Sequence, residues 1–154
     1  MCLAVALVGS EVPTEIAAGL GHRLYQRGAM PEYRWYFRDR KPRLPILRDG
    51  QFSTARWGNG RGQSRLLPRR GWTTAIELKG GLFAGLTPIA VEIRASYALD
   101  GRGGWYPVFR GIRGVMVPDE HGWAVVYMLT TTSSHYYRNM TGSDRMPVFI
   151  GQTY

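Results

Sequence analysis

Leu44-Pro45-Ile46-Leu47-Arg48-Asp49-Gly50-Gln51-Phe52-Ser53-Thr54-Ala55-Arg56-Trp57 reads as a β-hairpin. Two β-prone runs flank Asp-Gly, a pair that tolerates the positive φ angles a two-residue turn demands. Working outward, short strands are expected at residues 73–78, 89–95, 106–110, 114–117, 123–130 and 147–150, and at the apolar run Leu3-Ala4-Val5-Ala6-Leu7-Val8. One helix is expected. Val12-Pro13-Thr14-Glu15 has the proline and the acid that suit a first turn, Ile16, Leu20 and Leu24 share a face, and Gly28 supplies a stop. Many short strands and one helix imply a β-rich α+β class, with residues 1–154 forming a single domain.

Composition narrows the partners. The chain of 154 residues carries a formal net charge of +9. Only Lys41 and Lys79 are lysine, so 18 of the 20 basic residues are arginine. Arginine offers a planar donor fork to phosphates and stacks on flat rings, so a polyanion is the expected partner. The segment Tyr33-Arg34-Trp35-Tyr36-Phe37-Arg38 concentrates both residue types. Single-stranded nucleic acid is held by such mixtures, with cations on phosphates and rings on unpaired bases. The same pattern also fits an ordinary strand with its aromatic side buried and its arginines solvated. The glycine-rich Trp57-Gly58-Asn59-Gly60-Arg61-Gly62 is no phosphate-binding P-loop, because it lacks G-K-[ST].

Other classes are excluded. One cysteine allows no internal disulfide and no multi-cysteine metal site, and His22, His121 and His135 lack ligand spacing. No stretch approaches the roughly 20 apolar residues of a spanning helix, and nothing resembles a signal peptide. The expectation is a soluble cytoplasmic monomer with no cofactor, metal or membrane partner. No Ser-His-Asp pattern argues for a peptidase.

The lone cysteine is Cys2, directly after Met1. An initiator Met before a small residue is commonly trimmed. Cys2 would then present an α-amine and a thiol on adjacent carbons, with ordinary pKa values of about 7.7–8.0 and 8.5. That pair converts an aldehyde into an imine and then a five-membered thiazolidine. A buried structural cysteine is the alternative reading.

Three segments carry a resemblance: Met1-Cys2, Arg56-Trp57-Gly58 after the hairpin, and Met128-Leu129-Thr130-Thr131 followed by Ser143-Asp144-Arg145-Met146-Pro147-Val148. Together they resemble the SOS response-associated peptidase (SRAP) family, whose members begin Met-Cys, carry a W-G segment, and have H-D-R-M-P-V after a strand ending in T-T. Glu92-Ile93-Arg94 stands where the family has N-A-R. The resemblance implies a compact β-rich domain of partly open barrel and sheets with few helices, and a basic groove for single-stranded DNA. It also implies a cysteine that captures the aldehyde of an abasic site covalently in the DNA damage (SOS) response. On that basis the expected catalytic set is Cys2, Ser143 at the family's histidine position, and Glu92, Glu120 and His121 as stand-in acids or bases. The expected nucleic-acid contacts are Arg34, Trp35, Arg38, Arg56, Trp57, Arg61, Arg94 and Arg145. The expected geometry puts Cys2 at the floor of a cleft lined by Arg94, Arg145 and one of those acids or bases.

The chain departs from the family at several points. Ser143 replaces a histidine, Pro118-Asp119-Glu120-His121-Gly122-Trp123 replaces G-F-Y-E-W with its glutamate, and Leu3-Ala4 replaces Gly-Arg. The alternative is therefore a catalytically degenerate SRAP-fold module that binds nucleic acid or a protein, from a phage or another mobile element.

Overall fold

The computed structural model describes residues 1–154. In chain order the elements are β1 (Ala4–Val8), α1 (Thr14–Ala17), β2 (Leu24–Arg27), β3 (Met30–Tyr36), β4 (Arg43–Arg48), β5 (Gln51–Trp57), β6 (Trp72–Thr74), α2 (Ala75–Lys79), β7 (Ile89–Arg94), β8 (Tyr97–Leu99), β9 (Trp105–Pro107), β10 (Gly111–Pro118), β11 (Ala124–Thr132), α3 (His135–Thr141) and β12 (Arg145–Pro147). This is the expected β-rich α+β class.

The strands form two sheets. β2-β3-β1-β8-β9 is an open, antiparallel five-stranded sheet. In the other sheet β10 pairs with β7, β7 with β4, β4 with β5, β5 with β11, and β11 back with β10, which closes a five-stranded barrel. Closure removes the unpaired edges that an open sheet exposes. Only the β5–β11 contact within the ring is parallel. β6 and β12 extend the far end of β11.

One core joins the two sheets. Leu44 and Ile46 of β4, Ala55 and Trp57 of β5, Val91 and Ile93 of β7, Ile112 of β10, and Val126 and Met128 of β11 alternate along their strands and fill the barrel. Val5, Leu7, Trp35, Ala98 and Tyr106 of the open sheet belong to the same cluster. A smaller cluster, with Phe83, Leu67, Val117 and Tyr127, seals the outside of the β10–β11 pair.

The hairpin at 44–57 is as expected: Asp49 (φ 51°) and Gly50 (φ 75°) make the turn, and Arg48 pairs with Gln51. The helix expected from Val12 to Gly28 is corrected. α1 has four residues, and Leu24 begins a strand paired with Tyr33. Gly19 and Gly21 weaken helix propagation by up to ~1 kcal/mol each relative to alanine, so the chain is free to form the β2–β3 pair. Gly28 (φ 60°) sits in that pair's turn, not at a helix end. The strand expected at 73–78 stops at Thr74. The Thr74 hydroxyl accepts from the Glu77 amide at 3.1 Å and caps the start of α2. α3 was not expected; Ser134 caps its start and Gly142, left-handed, its end.

Candidate nucleic-acid interface and amino-terminal site

The chain start docks against β12. The Met1 ammonium donates to Ser143 Oγ at 2.7 Å, and Ser143 Oγ donates to the Arg145 carbonyl at 2.7 Å. The Arg145 guanidinium turns away to the Thr130 carbonyl, at 2.9 Å, and to its hydroxyl. Ser143 and Arg145 are thus the two expected site residues that sit by the amino terminus.

Cys2 is not at the floor of an open cleft, and that expectation is corrected. Its side chain is wholly buried in the shared core, its thiol donates to the Ala4 carbonyl at 3.2 Å, and its own carbonyl accepts from the Trp72 indole at 3.1 Å. Burial pushes the thiol up to about 12, despite hydrogen bonding and the nearby ammonium pulling it down. The side chains that feel its charge are Tyr106 and Tyr137, whose hydroxyls share a 2.8 Å hydrogen bond. Burial raises both phenols far above their ordinary range, so neither exchanges a proton near neutral pH. In the Met1-bearing chain this arrangement holds the thiol neutral and without an acid or base partner.

The expected acids and bases do not gather here. Glu92 lies between Val91 and Ile93, which point into the barrel, so strand alternation turns it outward. There it takes Arg94 at 3.0 Å and Arg110 at 3.3 Å. Arg94 also meets Glu11 at 3.5 Å. Glu120 and His121 occupy the turn before β11, whereas Ser143 and Arg145 sit by its other end. Nine strand residues span roughly 30 Å at ~3.3 Å each. Glu120 instead accepts from the Arg65 amide at 2.8 Å and is held below the usual carboxylate range by its hydrogen bonds to Ser64 and Arg65. No three His, Cys, Asp or Glu side chains form a group able to hold a metal ion.

Two expected stacking surfaces are also corrected. Trp35 and Trp57 are wholly buried. Trp57 donates to the Gly71 carbonyl at 3.0 Å and meets Phe37 edge-on at 5.3 Å. Gly58 is needed beside it, because its φ is +59° and a Cβ there would collide with the Arg70 carbonyl. The W-G segment is accordingly a packing element. Arg56 is spent on buried Asp119 at 3.1 Å. Burial alone would raise that carboxyl, but bonds from the Trp123 and His121 amides and from Arg56 hold it below its ordinary value.

The accessible cations lie elsewhere. The outer face of the open sheet carries Tyr25, Arg27, Glu32, Arg34, Tyr36, Tyr97 and Trp105 over the small Ala4 and Ala6. Glu32, 1% exposed, is held by Arg27 at 2.6 Å and Arg34 at 2.7 Å. Arg27 lies 4.0 Å over the Tyr97 ring and Arg34 4.4 Å over Tyr25. Beyond β3, Arg38, Arg40 and Lys41 are exposed, and Arg61 braces this loop by donating to the Arg38 and Asp39 carbonyls. The structure therefore groups Arg34, Arg38 and Arg61 on one side of the molecule. Sequence reading missed Arg23, Tyr25, Arg27, Tyr97 and Trp105. The alternation of Tyr25 and Arg27 was the available signal, hidden by the helical reading.

No protein-family model, curated protein or solved structure matches the chain.

Proposed function

We propose that this protein binds single-stranded DNA non-covalently, as an SRAP-like module in which the cysteine chemistry is silent while Met1 is present. The observation that carries this reading is that Cys2 is buried and without an acid or base, while the half-exposed outer face of the open sheet interleaves arginines with aromatic rings beside exposed Arg38, Arg40 and Lys41. Such a face suits a flexible strand, whose phosphates meet cations and whose unpaired bases meet rings. Fluorescence anisotropy with a labelled single-stranded oligonucleotide tests it. Affinity is expected to fall as salt rises, with a log–log slope of about −0.7 per phosphate neutralised. Binding that is absent at low salt, or flat with salt, sinks the reading.

A second reading, covalent capture of abasic sites, is favoured by one contact: the Met1 ammonium sits on Ser143, at the position where the resemblance puts a histidine. Removal of Met1 transfers the free amine to Cys2, which creates the pair a thiazolidine needs. A denaturation-resistant adduct between abasic single-stranded DNA and protein of mass starting at Cys2, lost in Cys2→Ala, supports it. No adduct from such protein removes it.

A further inference from the structure

We infer that the cleft between the turn at Gly21–Arg23, strands β2 and β3, and the loop at residues 37–41 is a nucleotide subsite that takes one unpaired base of single-stranded DNA and its flanking phosphates. The inference rests on the DNA-binding reading and gives it a location whose walls do not include Cys2. The cleft measures about 310 Å³, the size class of small-ligand pockets, and its walls include Arg23, Tyr25, Arg34, Tyr36, Arg40 and Lys41.

These residues divide into two groups. Arg23 is tied to Asp39 at 3.0 Å, and Arg34 to the buried Glu32 at 2.7 Å. Arg23 is balanced by Asp39, whereas the single charge of Glu32 is shared between Arg27 and Arg34, so this floor is held in place and keeps a net positive charge. Arg40 and Lys41 are exposed and have no carboxylate partner, which leaves two adjacent cations at the rim for consecutive phosphates. The rings divide likewise. Tyr36 is occupied by Arg38 at 4.8 Å and by the edge of Trp105 at 6.2 Å. Tyr25 is backed by Arg34 at 4.4 Å yet is 42% exposed. It is the ring left for a base, and the guanidinium against it limits its motion. A base inside a duplex is already stacked on both sides and has no face to offer, so the site selects single strands.

The test is salt-dependent anisotropy with an oligothymidylate, its duplex and a single-stranded RNA of matching sequence. The variants are Arg40→Gln/Lys41→Gln, Tyr25→Ala, and a charge-matched control, Arg48→Gln/Arg113→Gln, in a separate cleft that shares no residue with this one. The double variant should flatten the salt slope by about 1.4, two phosphates at ~0.7 each. Tyr25→Ala should weaken binding on the order of tenfold with the slope unchanged. Exposed Arg40 and Lys41 leave the fold intact, so their result stands even where Tyr25→Ala disturbs the sheet. Wild-type slope and affinity in the double variant, with the loss appearing in the control, overturn the subsite and leave the DNA-binding reading in place. Equal affinity for duplex overturns the stacking role, and tighter binding of RNA overturns the choice of DNA. If wild-type protein binds no nucleic acid, the reading beneath fails and the subsite with it.

Discussion

Trp35 and Tyr36 are neighbours in sequence, yet they lie on opposite faces of the same sheet. Trp35 is wholly buried beside Val5, Leu7 and Cys2, whereas Tyr36 faces outward under Arg38 and beside Trp105. The inner face is apolar and closed against the barrel. The outer face is charged, half-exposed and held by arginine–ring contacts. The difference teaches that an aromatic and arginine-rich run is not uniformly a ligand surface: alternation assigns every second residue to packing.

The sharpest way to break this comparison is Trp35→Ala, expected to cost about 3–5 kcal/mol by urea denaturation, as for large aromatic truncations in a core. A similar loss from Tyr36→Ala would erase the distinction between the faces. Cys2 comes next. Its thiol, pushed up to about 12 by burial, should have a thiolate fraction on the order of a thousandfold below that of the unfolded chain near neutral pH. Alkylation followed by mass should therefore be slow in native protein and fast in urea; equal rates contradict burial. The raised value also means that this contribution to stability is full below about 9 and is lost as pH climbs toward 12.

Glu32 sharpens the comparison, because it belongs to the outer face by register but is buried under Arg27 and Arg34. Glu32→Ala leaves two partly buried cations unpaired and should cost about 3 kcal/mol in thermal or chemical denaturation. A neutral effect would show that the arginines simply swing to solvent. The smallest effect is on the barrel. Asp119→Asn should cost about 1 kcal/mol at pH 7, since it weakens a turn cap and the Arg56 pair. The folded carboxyl titrates below its ordinary 3.8, so the wild-type advantage is present above that value and disappears as pH falls through the lower folded one. An advantage that stays constant as pH falls from neutral into acid would rule the carboxylate out as its source.

Much of the fold was legible. The Asp49-Gly50 turn, the strands around residues 89–94 and 124–130, and the β-rich class follow from local pattern. The β2–β3 pair was not, because Ile16, Leu20 and Leu24 happen to fall at helical spacing while the strand signal in Leu24-Tyr25-Gln26-Arg27 spans only four residues. At the candidate site, Ser143 does meet the chain start and Arg145 backs it through its carbonyl, but Glu92, Glu120 and His121 do not gather there. Their chemistry was readable from residue type; their distance from Cys2 depends on barrel closure, which has no local signature.

By itself, the sequence determined the charge, the near-absence of lysine, the single cysteine and the strand-rich class, all of which are properties of composition and of short-range pattern. The tertiary structure alone decided which tryptophans are core, which arginines are paired with Glu32, Asp39 and Asp119, and which cations remain free at the rim of the cleft. The physical reason is that burial and pairing are set by how strands come together: Arg56 meets Asp119 across 63 positions, the Met1 ammonium hydrogen-bonds Ser143 across 142, and even the short-range Arg27–Glu32 pair forms across the β2–β3 register.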